Sequence, residues 1–388
     1  MNLEALKTVN AADVYVAGQF AGTLTREAGS HTTFTYDPNY RGRPVASTLQ
    51  VGPAPVTAHG GAVPPFFAGL LPEGYRLSLL QKDVKTSLND EFSLLLAIGQ
   101  DTPGNVQVVP AGTPLTSVAS SITGDPSTLD FSHIFSTVDR HGLPGVQAKA
   151  SAYMLTAPVA SQTGAALVKI SPKAYPHLIR NEYQHLLAAK KLRLATVRAS
   201  LVKDRHGTEG LWIQRFDRQE ERRIAFEDAT QILNVHPAQK YTLTTESVIQ
   251  ALSELSASPL VTTRNLYLQF VFAWLTGNGD LHGKNVGLLE NIRGTWEVAP
   301  IYDIPCTLVY GDDSLALPVA GRTKRLRRQH WFELAEGIGL HKKAALSAHR
   351  LALTAAATVD WDSIGLEGSS LRGAQRELRF RRYELDPL

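Results

Sequence analysis

The order of patterns along this chain predicts an α+β protein. Residues 13 to 57 are rich in β-formers, residues 153 to 213 run strand, helix, strand, and from about 245 the apolar spacing becomes helical. A chain of 388 residues with 43% hydrophobic content has room for two or three domains, each with its own core.

In the first region, Val14-Tyr15-Val16 and Gly22-Thr23-Leu24 flank Ala17-Gly18-Gln19, the pattern of a hairpin turn, and Thr32 to Tyr36 continue in β-formers. Residues 51 to 65, rich in Gly and Pro, predict a loop. Leu71-Pro72-Glu73-Gly74 precedes a helical stretch, Phe92 to Ile98 predict a buried helix, and Val106 to Val109 a short strand. Residues 111 to 127 carry the Ser, Thr, Gly and Pro content of a linker.

The second region has strand candidates at Tyr153-Met154-Leu155 and Ala166 to Ile170. Asn181 to Leu194 predict an amphipathic helix through Tyr183, Leu186, Leu187 and Leu194. Ala199 to Val202 and Leu211 to Ile213 predict two strands joined by the turn Lys203 to Gly207. Further on, Leu266, Phe270, Ala273 and Trp274 fall on one helix face ending at Gly277. Val286 to Leu289 and Trp296 to Ala299 read as strands around the turn Asn291 to Gly294, and the rest as helices. The expected domains are 1–115, 128–220 and 221–388.

Composition excludes several classes. A net charge of +3 is too weak to argue for nucleic acid. The single cysteine, Cys306, excludes an internal disulfide and a cysteine zinc cluster. No early apolar run resembles a signal peptide and no stretch of about 18 apolar residues is present. The expectation is a cytoplasmic protein with no membrane partner. Basic clusters at Arg322, Lys324, Arg325, Arg327, Arg328 and at Arg376, Arg379, Arg381, Arg382 read as solvated faces.

The chemistry concentrates in Asn278-Gly-Asp-Leu-His-Gly-Lys-Asn285 and Ile301-Tyr-Asp303. Asp280 and Asn285 are five apart, the spacing of the kinase catalytic loop. Antiparallel pairing of the following hairpin returns Asn285 and Asp303 to the same end of the ribbon. Magnesium favours one or two protein oxygens plus phosphate oxygens, which suits those two residues. A carboxylate beside the metal can orient a hydroxyl nucleophile and take its proton, a role that falls to Asp280. His282 and Lys284 lie between and can touch phosphates. A Gly-Asn-Gly-Asp run alone is also an ordinary polar turn. The spacing, the hairpin and the second Asp together set this one apart.

Upstream, Lys169 sits in an apolar strand, where it could neutralise phosphates, and Glu182 in the next helix could pair with it. Gly142-Leu-Pro-Gly145-Val-Gln-Ala-Lys149 is a glycine-containing turn with a lysine and is not a Walker A motif. Gln214-Arg215-Phe216-Asp217-Arg218 follows a strand, where backbone groups could meet an adenine edge and Phe216 could pack near it. A capped strand end with a surface ion pair is the plainer reading.

These segments together resemble the HipA-type serine/threonine kinases, the toxin halves of bacterial toxin–antitoxin pairs, over nearly the whole chain. Phe272 to Asn285 is similar to the catalytic segment, Pro300-Ile-Tyr-Asp303 to the metal segment, and Gln214 to Arg218 to the hinge. Leu71-Pro-Glu-Gly74 and Gly104-Asn-Val-Gln107 match the amino-terminal module, and Gly145-Val-Gln-Ala-Lys149 the phosphate loop. The resemblance implies a bilobal atypical, lipid-kinase-like fold with an amino-terminal β-rich module and an α-helical C-lobe. It makes Asp280 the base, Asn285 and Asp303 the magnesium ligands, and Lys169 the phosphate lysine, supported by Glu182. ATP contacts would come from Gly145, Lys149, Gln214, Arg215, Phe216, His282, Lys284 and Tyr302. It also implies a small helix-turn-helix antitoxin, DNA met through that antitoxin, and a protein substrate such as an aminoacyl-tRNA synthetase. Three departures stand out. Gly142-Leu143-Pro144 replaces a regulatory serine, Ala148 an acidic residue, and Gln214 the hinge Glu. A small-molecule phosphotransferase of the choline- or aminoglycoside-kinase kind and a non-catalytic nucleotide-binding corepressor are the competing functions.

Overall fold

The computed structural model describes residues 3–27, 31–116, 124–131, 154–161, 164–220 and 222–386. Its contacts divide the chain into two units, Met1–Ser121 with Asp217–Lys240, and Ile122–Phe216 with Tyr241–Leu388. Among the described residues, no helix is long and apolar enough to cross a membrane.

Among the described residues, the first unit is an antiparallel sheet carrying three helices from its first segment and a one-turn helix, Ala229–Ile232, from its second. Its strands are β1 (Ala11–Val16), β2 (Gln19–Glu27), β3 (His31–Tyr36), β4 (Val56–Ala58) and β5 (Val106–Pro110), in the order β4-β3-β2-β1-β5. Ala17 and Gly18 both take positive φ, 47° and 81°, as a tight hairpin turn between twisted strands requires. The helices are α1 (Pro65–Gly69), α2 (Gly74–Val84) and α3 (Glu91–Ile98). Asp90 caps α3 by accepting from the Ser93 amide at 3.2 Å. Leu24, Phe34, Phe67, Phe92 and Leu94 form the sealed centre of this core.

Asp217–Lys240 belongs to this unit and explains two sequence segments. The turn at Asp101–Gly104 is wrapped by Asp217, Arg218 and Arg223. Asp217 accepts from the Gly104 amide at 2.9 Å, while Arg218 donates to the carbonyls of Gly104 and Thr102 at 3.0 and 2.7 Å. Gly104 has φ 77°, and a Cβ there would stand 3.3 Å from the Phe226 backbone. Glu73 holds Lys240 at 2.8 Å. Gln214 to Arg218 is therefore two devices: its last two residues build this unit rather than a surface ion pair.

The second unit begins with the antiparallel sheet β6 (Leu155–Ser161), β7 (Gly164–Ile170), β8 (Ala199–Lys203) and β9 (Glu209–Gln214), ordered β6-β7-β9-β8. Helix α4 (Leu178–Ala189) starts three residues earlier than the pattern predicts and stops earlier, because the chain turns left-handed at Arg193. Helices α5 (Thr245–Leu255) and α6 (Pro259–Thr276), the hairpin β10 (Gly287–Glu290) and β11 (Trp296–Val298), and helices α7 (Arg328–Gly337), α8 (Lys342–Ala356) and α9 (Gly368–Leu385) follow. Helix α6 is buried on all sides from Leu266 to Thr276, not along one face. Arg381 is likewise not solvated. It is buried, lies 3.6 Å over the Trp274 ring, and donates to the carbonyls of Trp274 and Asp313 at 3.2 and 2.8 Å. By contrast, Arg322, Lys324, Arg325 and Arg327 are exposed, as expected.

Two buried histidines of the second unit and a buried glutamate of the first respond to pH in opposite senses. Burial pushes His185 and His349, both in the second unit, down to about 4. Their contribution is complete above the ordinary 6.5 and is lost as pH falls through 4, about 3 kcal/mol for each at most. Burial pushes Glu227 of the first unit up to about 7, against hydrogen bonds from Ser47. Its contribution is complete below 4.5 and fades as pH rises through 7. Calorimetry should show His185→Gln and His349→Gln each weakening the fall of the second unit's stability between pH 6.5 and 4 relative to wild type. Glu227→Gln should remove the loss between pH 4.5 and 7 from the first unit.

Candidate active site

Three charged side chains, from β7, α4 and the segment after the hairpin, meet in one cluster. Lys169, in an inner strand, donates to both Glu182 oxygens at 2.9 and 3.0 Å and to Asp303 Oδ1 at 2.8 Å. Glu182 lies in the second turn of α4 and is fully buried, so it is no exposed helix glutamate. Burial works against the lysine's charge, but Asp303 and Glu182 outweigh it and hold its pKa above the ordinary value. Burial also raises the Glu182 carboxyl, with Lys169 opposing. Two short bonds from one ammonium to both carboxylate oxygens support the ionised pair.

Asp303 arrives on a segment fixed by the backbone. The Ile301 amide donates to the Ala195 carbonyl at 2.8 Å, and the Val197 amide to the Ile301 carbonyl at 3.0 Å. Asp303 itself takes φ 53°, a left-handed conformation that Asp tolerates better than most residues. Beyond it, Asn181 grips Cys306 from both sides, donating to its carbonyl at 2.9 Å and accepting from its amide at 2.8 Å. Adjacent residues of α4 therefore hold the segment twice, Glu182 through Lys169 and Asn181 through Cys306.

The loop after α6 brings the other members. Helix α6 ends at Gly277 with φ 72°. A Cβ on Gly279 would stand 2.4 Å from the Ser314 carbonyl and 2.5 Å from Asp312 Oδ2. Gly279→Ala should therefore displace the loop, costing about 1–3 kcal/mol by overpacking, measurable by thermal melting. The Gly279 amide donates to Thr307 Oγ1 at 2.8 Å and the Asp280 amide to Asn278 Oδ1 at 2.8 Å. Asn285 Nδ2 donates to the Asp280 carbonyl at 2.9 Å and to Asp303 Oδ2 at 3.2 Å. The ribbon thus returns Asn285 and Asp303 to one end, joined by a hydrogen bond, with the Asp280 backbone on the same amide. The Asp280 carboxylate is buried and accepts from the Tyr241 hydroxyl at 2.9 Å.

The remaining candidates take different places. His282 is buried, and its Nδ1 accepts from the Lys284 amide at 3.2 Å while Nε2 lies 3.9 Å from Asp280 Oδ2. It stands behind the loop as a support. Lys284 is half-buried and its carbonyl accepts from Tyr302 at 2.6 Å. The Tyr302 ring tilts against Phe216 at 5.5 Å. The Gln214 and Arg215 amides donate to the carbonyls of Arg198 and Ala165, so these two N–H groups hold the sheet. Gly145 and Lys149, with the turn beginning at Gly142, lie outside the described residues. Tyr241 and Asn181 escaped the sequence reading. Tyr241 precedes Asp280 by 39 residues with no motif between. Asn181 offered one signal, a polar residue next to Glu182 on a helix whose neighbours pack inward.

Oxygen donors dominate this arrangement: one carboxylate, one carboxamide and a second carboxylate at hand, with a fixed cation on the first. Such a set suits a hard divalent ion and anionic phosphate oxygens.

Two family models cover the chain. The HipA N-terminal domain matches residues 12–109 and the HipA-like C-terminal domain residues 141–361. A putative kinase, Y4dM of Sinorhizobium fredii, is 30% identical over 91% of this chain and 90% of its own. The serine/threonine-protein kinase toxin HipA of Shewanella oneidensis is 25% identical over 79% of this chain and 78% of its own. The solved complex of Shewanella oneidensis HipA with HipB and operator DNA contains a chain similar in fold, with TM-score 0.75 at 20% identity, covering 96% of each chain. The α+β kinase-like fold expected from the sequence is thereby established, and the chain belongs to the HipA family of kinases.

Proposed function

We propose that this protein is a magnesium- and ATP-dependent serine/threonine protein kinase, the toxin of a toxin–antitoxin pair. Asp280 takes the proton of the acceptor hydroxyl, Asn285 and Asp303 would hold Mg2+, and Lys169, oriented by Glu182, neutralises phosphate oxygens. The ion, when bound, supplies charge neutralisation on the transferring phosphate. Gly145, Lys149, Gln214 to Phe216, His282, Lys284 and Tyr302 belong to the nucleotide side of the same proposal, His282 and Tyr302 by shaping the loop. The first unit would be the amino-terminal module and the second would contain both lobes.

The observation that carries this reading is the continuous hydrogen-bonded chain from Glu182 through Lys169, Asp303 and Asn285 to the backbone carbonyl of Asp280. A small-molecule kinase would need the same cluster. The match to the HipA N-terminal model favours a protein acceptor. The Shewanella relative's name supports a serine acceptor, and its complex supports a small HipB-like antitoxin and, through it, DNA. An aminoacyl-tRNA synthetase or another translation protein in the cytoplasm is the proposed substrate, with growth arrest and persistence as the consequence. The test is transfer from γ-labelled ATP into cell extract. A labelled protein band supports the proposal, a labelled metabolite supports the small-molecule reading, and no transfer refutes both.

A further inference from the structure

An acceptor hydroxyl must come within about 2.6–3.2 Å of the base that takes its proton. At Asp280 that place is already filled: the Tyr241 hydroxyl lies 2.9 Å from Oδ1. The other oxygen, Oδ2, faces His282 Nε2 at 3.9 Å. Asp280 as a whole is only 3% exposed, whereas Tyr241 is 39% exposed. The phenol therefore takes up one oxygen of a base that is itself almost wholly buried. Its ring meets the His282 ring edge-on at 5.1 Å and the chain is anchored two residues later by buried Leu243 and then by Thr244, the cap of α5.

We propose that Tyr241 occupies the acceptor-hydroxyl position and must leave before a substrate serine or threonine can meet Asp280. This rests on the proposed kinase function and adds to it the residue that guards the acceptor side. The hydroxyl donates to the base in the same sense as a substrate would, so the two compete for one oxygen. The competition acts on acceptor binding, not on the nucleotide. Nothing in the loop backbone depends on it, since Asp280 is placed by Asn278 and Asn285.

The experiment compares wild type, Tyr241→Phe and Tyr241→Leu with MgATP and a mixture of random-sequence serine peptides at sub-saturating concentration, reading peptide phosphorylation and release of inorganic phosphate. A hydrogen bond to a charged group of this kind shifts the competition by roughly tenfold. Both variants should transfer about tenfold faster than wild type at low peptide, with an unchanged KM for MgATP. Tyr241→Leu should also release phosphate to water faster. Transfer that is unchanged or slower in both variants, with wild-type melting curves, would overturn the proposal and leave Tyr241 a support of Asp280. 3-Fluorotyrosine at position 241 gives an independent reading: its resonance should shift in Asp280→Asn. If wild type transfers phosphate to neither peptide nor extract, the kinase proposal itself fails, and the fluorine shift still reports whether the contact exists.

Discussion

Replacing Asp280 by Ala should lower phosphoryl transfer by about 10²–10⁴, the range of a lost general base, while the loop and nucleotide affinity persist. The separation follows from how the residue is held. Its amide donates to Asn278 Oδ1, its carbonyl accepts from Asn285, and Gly279 before it is fixed by Thr307. All three bonds use backbone atoms that alanine keeps. The carboxylate itself accepts from the Tyr241 hydroxyl. Transfer from labelled ATP, nucleotide titration by calorimetry and a thermal melt check the three parts. Full transfer in the variant would remove Asp280 from the mechanism. Loss of nucleotide binding would show that the carboxylate shapes the pocket as well.

The second large effect concerns the buried cation. Lys169→Met removes the charge that faces both Glu182 and Asp303, leaving Glu182, fully buried, without its cation. Breaking such a pair costs about 3–5 kcal/mol, so both melting temperature and transfer should fall. Adding Glu182→Leu removes the stranded charge and should restore much of the stability, because an apolar pair of similar volume is often as stable as the ion pair. Transfer should not return. The two variants thus divide what the lysine does for the fold from what it does for chemistry. If the double variant recovers transfer, Lys169 is structural. Asp303→Ala belongs to the same group. It should weaken magnesium-dependent nucleotide binding, and calorimetry with and without Mg2+ detects this.

Local order was readable from the chain. The hairpin at Ala17-Gly18 was visible because two residues of positive φ between β-formers leave few alternatives. The turn at Asn291–Gly294 was visible from its Asn and Gly: Gly294 takes φ 76° and its amide donates to the Asn291 carbonyl at 3.0 Å. The loop from Asn278 to Asn285 was visible because its functional residues are close in sequence, and the hairpin after it carries Asp303 back by the geometry of antiparallel pairing alone.

What failed to show were contacts across long stretches of chain. Helix α6 looked one-sided because periodicity records where apolar residues stand, while Thr262, Gln269 and Thr276 are also buried by packing on the remaining faces. Arg381 looked solvated within a basic run, yet the Trp274 ring and two carbonyls satisfy it inside the fold. Asp217 and Arg218 looked like the tail of a hinge, yet they wrap a turn more than a hundred residues earlier.

Sequence alone determined the succession of elements, the identity of the acid-amide-acid segment and the family resemblance, because each depends on neighbours within a few residues or on the residues themselves. Only the tertiary structure decided that Lys169, besides its expected partner Glu182, also meets Asp303, that Asn181 holds Cys306 and that Tyr241 lies on Asp280. Those partners are separated by 134, 125 and 39 residues, and no short-range preference specifies such a pairing. Burial selects it: a polar group taken out of water must find a partner, and the fold determines which one is within reach.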